Sequence, residues 1–236
     1  MRKKAEHPDC QYCEVRYKSV FTELGEVDMQ RLNVNKGCNF YKKDQVLFAE
    51  GGFPHGLFCM NDGKIKVAKI GEGGREQIVR LAKAGDILGY RALLSGDQYT
   101  CSATVIEDST VCFIPKEFFF SLIEKNAPLS LQVLKMLSYD LKKAENKITD
   151  LAQKPVRERL AEALLFLKET YGFEKDMATI NVSFTREEIA NIVGTATETA
   201  IRLLSEFKHD HIIELKGKRI KILDHQKLLK TANVLD

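Results

Sequence analysis

The 236-residue chain predicts an α+β fold: an antiparallel β-barrel or jelly roll, then a long helix, then a small winged helix-turn-helix. Three observations predict it. From about Lys36 to Pro115, short apolar and β-branched pieces alternate with glycine-rich turns, the texture of a closed antiparallel sheet. Beyond Pro115 the apolar period lengthens to that of helices. Near the C-terminus, TREEIANIVGTATETAIRLL (Thr185–Leu204) is laid out as two short helices joined by a sharp glycine turn.

Four segments follow from this pattern: an arm (1–30) with a C-x-x-C at Cys10 and Cys13, a barrel (31–115), a helix (116–153) and the winged helix-turn-helix (154–236). Strands are expected at Gln45–Phe48, Leu57–Met60, Lys64–Ile70, Gln77–Leu81, Ala103–Ile106 and Thr110–Ile114. Asp62-Gly63 has the composition of a tight hairpin turn between the second and third of them. In the helix, Leu134, Leu137, Leu141, Ala144, Ile148 and Leu151 recur at 3-4 spacing, an a/d seam with Lys142, Lys143, Glu145, Asn146 and Lys147 lying off it. So narrow a stripe favours pairing with a second copy, and a homodimer is expected.

Lys154-Pro155 interrupts the helix and marks the boundary of the last segment. Val156 to Tyr171 is a further amphipathic helix with Leu160, Ala163, Leu164 and Leu167 on one face, and Ile180-Asn181-Val182 reads as a short strand. Thr185 is the expected N-cap of the next helix, with Glu188 three residues on completing a capping box. Ile189, Ala190 and Val193 form its apolar face, and Gly194 supplies the left-handed residue that ends it. Thr197 is expected to cap the second helix. There Ala200, Leu203 and Leu204 face inward while Glu198, Ile201 and Arg202 face outward. Ile212–Leu215 and Arg219–Leu223 form a small hairpin around Lys216-Gly217-Lys218.

Composition narrows the function classes. A hydrophobic content of 44% supports packed cores, and the net charge of +3 is nearly balanced. Residues 153–236 hold 14 Lys+Arg against 13 Asp+Glu, so nucleic-acid binding must come from local placement of cations. No apolar run reaches the roughly 18–20 residues of a membrane span. The opening MRKKAEHPDC has no apolar core of a signal peptide, so the cytoplasm is expected, with the six cysteines reduced or metal-bound. A dithiol redox enzyme built on Cys10 and Cys13 would need a helix N-terminus in a βαβ setting, which the arm lacks. No Ser–His–Asp constellation or phosphate-binding loop is visible. The chain reads as a non-enzyme.

The order of barrel, dimer helix and winged helix-turn-helix resembles the CRP/FNR family of bacterial transcription regulators, nearest its fumarate-nitrate branch. The segments GREQIVRLAKAGDILGYRALLSG (Gly74–Gly96) and EDSTVCFIP (Glu107–Pro115) carry the resemblance further. It implies a cyclic-nucleotide-binding-like double-stranded β-helix as sensor. The attached helix-turn-helix speaks against a regulatory module of a kinase or channel. Glu198 and Arg202 match the family's E-x-x-x-R pattern. Arginine bonds a guanine O6/N7 edge with two donors and glutamate accepts from cytosine N4. Cyclic-AMP members carry an arginine where Thr197 stands, so a TTGA-like half-site is implied, with Ile201 placed to pack on a thymine methyl. Thr185, Arg186, Lys216, Lys218 and Arg219 are implied phosphate contacts, which position the protein without specifying sequence. A dimer would set two recognition helices about 34 Å apart on a palindrome. RNA polymerase is the implied partner of the loop Glu72-Gly73-Gly74-Arg75-Glu76.

The signal is less determined. The pocket positions of the family fall on Gly89, Tyr90, Arg91, Cys101 and Ser102. Tyr90 replaces the ribose-binding glutamate and Cys101 the phosphate arginine, and a buried phosphodiester without a cation is costly, which argues against cyclic AMP. Cys10, Cys13 and Cys112 match three of the four positions that hold a [4Fe–4S] cluster in the fumarate-nitrate branch. Ser19 stands near the fourth, where Cys38 or His7 are possible stand-ins. The plain alternative makes Cys112 a buried strand residue, the arm cysteines simple thiols, and Cys38, Cys59 and Cys101 core or pocket residues. A haem-sensing variant would rest on His55, a lone loop histidine.

Overall fold

The structure is a computed structural model that describes residues 8–234. Its antiparallel sheet contains β1 (Gly37–Tyr41), β2 (Val46–Phe48), β3 (Gly56–Ile70), β4 (Glu76–Lys83), β5 (Ile87–Leu88) and β6 (Ser102–Pro115). Their order is β1-β6-β3-β4, with β2 also pairing β6 and β5 pairing β3.

Two of the expected strand breaks do not exist. Leu57–Met60 and Lys64–Ile70 form one strand, β3, and Ala103–Ile106 and Thr110–Ile114 form another, β6. Asp62-Gly63 makes no hairpin. The register between β3 and β6 shifts at Met60/Asp62, Asp62/Lys64 and Lys64/Ile65, so these residues are bulges that bend a long strand pair. Gly63 has φ +94°, and a Cβ there would lie 2.1 Å from Ser109 Oγ. Positive φ and close approach are what glycine permits in a bulge as well as in a turn, which is why the local sequence reads either way.

The two faces of the sheet follow the alternation of the strands. Met60, Ile65, Val67, Ala82, Leu88, Ala103, Val105 and Val111 form the barrel interior. Leu57 and Ile114, on the other face, join a second core with Phe21, Met29, Leu32, Phe119, Leu122 and Leu129. That second core comes from segments outside the barrel. Two short 3-10 turns, Glu14–Lys18 and Val20–Glu23, lead into α1 (Glu26–Asn35), so the arm is folded onto the sheet. After the short α2 (Tyr90–Ser95) and β6 come α3 (Lys116–Lys125) and α4 (Ala127–Gln153). The expected continuous 116–153 helix is thus broken at Asn126, whose Oδ1 accepts from the Leu129 amide at 3.0 Å and caps α4.

The chain divides into two compact units: α4 passes from the first to the second between Lys142 and Lys143, and Glu76–Ile78 at the start of β4 group with the second. The second unit continues through α5 (Val156–Tyr171), α6 (Arg186–Val193), α7 (Thr197–His209), the hairpin β7 (Ile213–Lys216) and β8 (Arg219–Ile222), and α8 (His225–Thr231). Ile180 makes only an isolated bridge to Phe173, where a short strand is expected, while Thr179 bridges Lys221 of β8.

Candidate nucleic-acid interface and thiol cavity

The helix-turn-helix is built by local chemistry. Thr185 accepts from the Glu188 amide at 3.0 Å and Glu188 Oε2 accepts from the Thr185 amide at 2.9 Å, so the capping box is complete. Gly194 ends α6 at φ +75° and ψ 54°. Arg159 of α5 then donates to the freed carbonyls Val193 O at 3.3 Å and Gly194 O at 3.2 Å, and also to Lys154 O, just ahead of α5, at 2.8 Å. A cation placed on the last carbonyls of α6 also complements the helix dipole. The N-cap of α7 is Ala196, not Thr197, and no side chain caps it. Thr197 is the first helical residue, with its backbone already committed to the helix.

Ala200, Leu203, Leu204 and Phe207 bury one face of α7. Glu198, Ile201 and Arg202 are exposed on the other, as expected. Arg202 does not pair with Glu198. Its Nη1 donates to Glu206 Oε1 at 2.5 Å, and Arg157 holds the other oxygen of Glu206 at 2.8 Å and Asp210 at 2.9 Å. The guanidinium therefore pairs with a neighbouring carboxylate one turn along, an exposed ion pair of the kind worth little in water.

The expected phosphate contacts divide into two sets. Lys216, Lys218 and Arg219 are exposed at the tip of the wing, with Lys216 3.5 Å from Glu214 and Arg219 3.1 Å from Glu174. Thr185 spends its hydroxyl on the capping box. Arg186 is half-buried and donates from Nη2 to Gly217 O at 2.9 Å, fastening α6 to the wing turn; burial lowers its pKa. These two side chains hold the motif together.

In the first unit, the expected effector positions do not form one site. Tyr90 is buried, its hydroxyl accepting from Arg80 Nη1 at 2.7 Å and donating to Asp140 of α4. Arg91 reaches the same carboxylate at 3.0 Å. Burial pulls the Asp140 pKa up, but the Tyr90 hydroxyl and the Arg80 and Arg91 charges outweigh it and hold the carboxyl below its usual range. Burial raises the Tyr90 pKa. Ser102 Oγ instead accepts from the Glu50 amide at 2.9 Å, and Cys101 packs against the barrel interior. Gly89 takes φ +80° ahead of α2. His55 is exposed.

Four of the six cysteines border one cavity where the arm covers the sheet. A cavity there is lined by Cys10, Cys13, Cys59 and Cys112 together with Arg16, Ser19, Lys36 and Asn61. It holds about 50 Å³, room for a few water-sized groups. Cys112 of β6 lies directly opposite both Cys38 of β1 and Cys59 of β3, so the three share one row and one face of the sheet. Cys38 and Cys112 are joined as a disulfide, with Cα atoms 4.0 Å apart, where reduced thiols are expected. Asn61 Nδ2 donates to Cys13 Sγ at 3.6 Å, and the nearly buried Lys36 lies beside Cys10 and donates to Pro8 O. Burial pushes the Cys10 thiol up, with Lys36 opposing; burial also raises Cys59 strongly and raises Cys101. Arg16 Nε is buried with no hydrogen-bond partner. Ser19 Oγ donates to Arg16 O at 2.8 Å and accepts from the Phe21 amide at 3.3 Å, which caps the second 3-10 turn. Among the described residues no three His, Cys, Asp or Glu side chains converge as a single metal ion requires. His7 lies outside the described residues.

Sequence reasoning left Cys59 as a core or pocket residue and gave no part to Lys36, Arg16 or Asn61. The available signal was the alternation in Leu57-Phe58-Cys59-Met60, which sets Cys59 on the face of Leu57, away from the barrel interior.

Residues 38–126 match the family described as Cyclic nucleotide-binding domain, and residues 158–231 the family described as Crp-like helix-turn-helix domain. The Fumarate and nitrate reduction regulatory protein of Vibrio cholerae is 33% identical over 229 residues, covering 95% of this chain and 90% of its own length. That of Escherichia coli K12 is 31% identical, covering 94% and 90%. Among solved structures, FixK2 from Bradyrhizobium japonicum superposes with a TM-score of 0.75 at 22% identity, covering 85% of this chain and 99% of its own. A transcriptional regulator of the CRP/FNR family from Thermus thermophilus gives 0.72 at 23%, covering 84% and 98%. Among the described residues no helix is long and apolar enough to cross a membrane. With a capped helix-turn-helix behind a cyclic-nucleotide-binding-type barrel, and with relatives this similar along nearly its whole length, the chain belongs to the CRP/FNR family of DNA-binding transcription regulators and is not an enzyme.

Proposed function

We propose that the protein acts as a homodimer, reads a TTGA-like inverted repeat and answers a redox or oxygen signal in the cytoplasm. The exposed face of α7 supports the reading of bases. Arg202 offers two donors to a guanine, Glu198 an acceptor to a cytosine, and Ile201 an apolar surface to a thymine methyl. Lys216, Lys218 and Arg219 would neutralise phosphates beside it. The homodimer rests on α4, where Leu134, Leu141 and Ile148 are each 60% exposed or more at seven-residue intervals. Leu131 adds to the stripe. Leu137 is taken up by the core of the first unit, and a Cβ on Gly194 would lie 2.8 Å from Leu151, so those two seam positions are partly used within the chain. RNA polymerase would meet the exposed turn at Glu72–Arg75 between β3 and β4.

The observation that carries the sensing half is the cavity ringed by four cysteines. Its residues fit an iron–sulfur cluster: thiols as ligands, a buried lysine to offset thiolate charge, and an orphaned Arg16 N–H at the wall. When bound, a [4Fe–4S] group would supply an oxygen- and redox-sensitive centre. The two alternatives have less behind them. A cyclic nucleotide would find Cys101 where a cation is needed, and haem would find only an exposed His55.

Arg202→Ala tests the base-reading half. Discrimination between a TTGA palindrome and one with the guanine replaced should fall by ~1–3 kcal/mol per half-site, with the oligomeric state unchanged. Fluorescence anisotropy on both duplexes measures it, and unaltered discrimination would reject the assignment.

A further inference from the structure

We propose that Cys59 is the fourth thiolate of an iron–sulfur site whose other ligands are Cys10, Cys13 and Cys112. This rests on the redox-sensing reading above and departs from a ligand set drawn from the arm plus one barrel cysteine. Three observations carry it. The free thiols of Cys10, Cys13 and Cys59 and the disulfide-bonded Cys112 line one cavity, and Cys38 does not. The sheet register sets Cys59 and Cys112 side by side on the face that the arm covers. Directly opposed positions hold their Cβ atoms about 4.5–5.5 Å apart, close enough for two ligands of one cluster. Ser19, the nearest candidate from the arm, has its hydroxyl engaged at both ends in the local turn.

The charge around the cavity is also suited to the group. Four thiolates in an apolar wall are costly without a cation or donors. Lys36 is nearly buried beside Cys10, Asn61 donates to Cys13, and Arg16 Nε is a buried donor with no partner. Cluster ligands bind separate iron atoms, so the thiols need to ring a volume rather than converge on a point. Here the four cysteines border one cavity without meeting at a point.

The Cys38–Cys112 disulfide gates this site. Cys112 can ligate only after a dithiol has reduced the bond: two electrons and two protons pass to the cysteine pair, and the dithiol becomes a disulfide. Each ligating thiol then gives up one proton.

The experiment is reconstitution of the full chain under argon with ferrous iron, sodium sulfide and dithiothreitol, read by visible absorbance and by iron and sulfide content. Wild type should take up about four iron per chain. Cys59→Ser should lose the absorbance and most of the iron. Cys38→Ser and Cys101→Ser should keep both, and Cys38→Ser should load without dithiothreitol. A Cys59→Ser chain that loads like wild type overturns the proposal, as does a Cys38→Ser chain that stays empty. Cys59→Ala guards against a merely structural effect. It should be empty while its iron-free melting temperature stays within about 3 °C of wild type, and an empty chain that has lost its cooperative melt also overturns the proposal. Wild type without iron would overturn the cluster reading itself, which separates the two failures.

Discussion

At the scale of single residues, the helix-turn-helix separates side chains that hold the motif together from side chains exposed on its outer face. Thr185 and Arg186 lie at the N-terminus of α6, where a phosphate contact is the obvious expectation. Their hydrogen bonds nevertheless run to Glu188 and to Gly217 O. Lys218 is different: it is exposed at the wing tip and, among the described residues, makes no ion pair. Lys218→Ala should therefore weaken binding to all duplexes alike and reduce the slope of log affinity against log salt by about 1. A salt titration on the TTGA palindrome and on an unrelated duplex checks both parts; a loss confined to the palindrome would contradict them. Glu198, Ile201 and Arg202 were legible because a 3.6-residue period leaves no other face for them. The partner of Arg202 was not, since Glu206 and Glu198 are equally spaced from it and only the contact from Arg157 settles the choice.

Elements were legible where local chemistry decides them. The capping box and Gly194 delimit α6, and Pro155 delimits α5, so both helices fall where the pattern sets them. The strands fared less well. Asp62-Gly63 has the residues of a hairpin turn, and only the cross-strand partner Ser109 shows that it is a bulge. The thiol cavity was hidden for a related reason: each cysteine is visible alone, but the row Cys38–Cys112–Cys59 is a register between distant strands. Asp140 illustrates the same limit on α4, where it ties the helix to Tyr90, Arg80 and Arg91. Its folded pKa lies below the unfolded value near 3.9. The stabilisation is thus present above about pH 4 and lost as pH falls through the folded pKa. Asp140→Asn should cost about 1–2 kcal/mol at pH 7 and clearly less near pH 2. Thermal melts at the two values measure it, and an equal cost at both would show that the carboxylate charge contributes nothing.

For the whole molecule, the exposed stripe of α4 is the feature that a lone chain leaves without purpose. Leu141→Glu should leave each unit folded, because the side chain is exposed, while abolishing the dimer. Sedimentation equilibrium reads the oligomeric state. Affinity for the full palindrome should fall by about a hundredfold or more, as a two-site grip becomes a one-site grip. A dimeric variant would place the interface elsewhere. The family was legible from the order of segments and a few contiguous runs. Of the thiol cavity, Cys10, Cys13 and Cys112 were legible through the resemblance, while Cys59, Lys36, Arg16 and Asn61 join them only in the folded chain.

The spacing of that stripe has a mechanical consequence. Leu134, Leu141 and Ile148 recur every seven residues, whereas a straight helix needs 7.2 for two full turns, so the stripe drifts by about 20° per heptad. Two copies can keep their leucines engaged along α4 only by coiling around one another with a left-handed sense. The pair of helices then has a phase: a small rotation of either one about its axis slides every leucine out of its hole together. In such a dimer Asp140, held by Tyr90, Arg80 and Arg91 beside Leu141, would fix that rotation at one point along the coil.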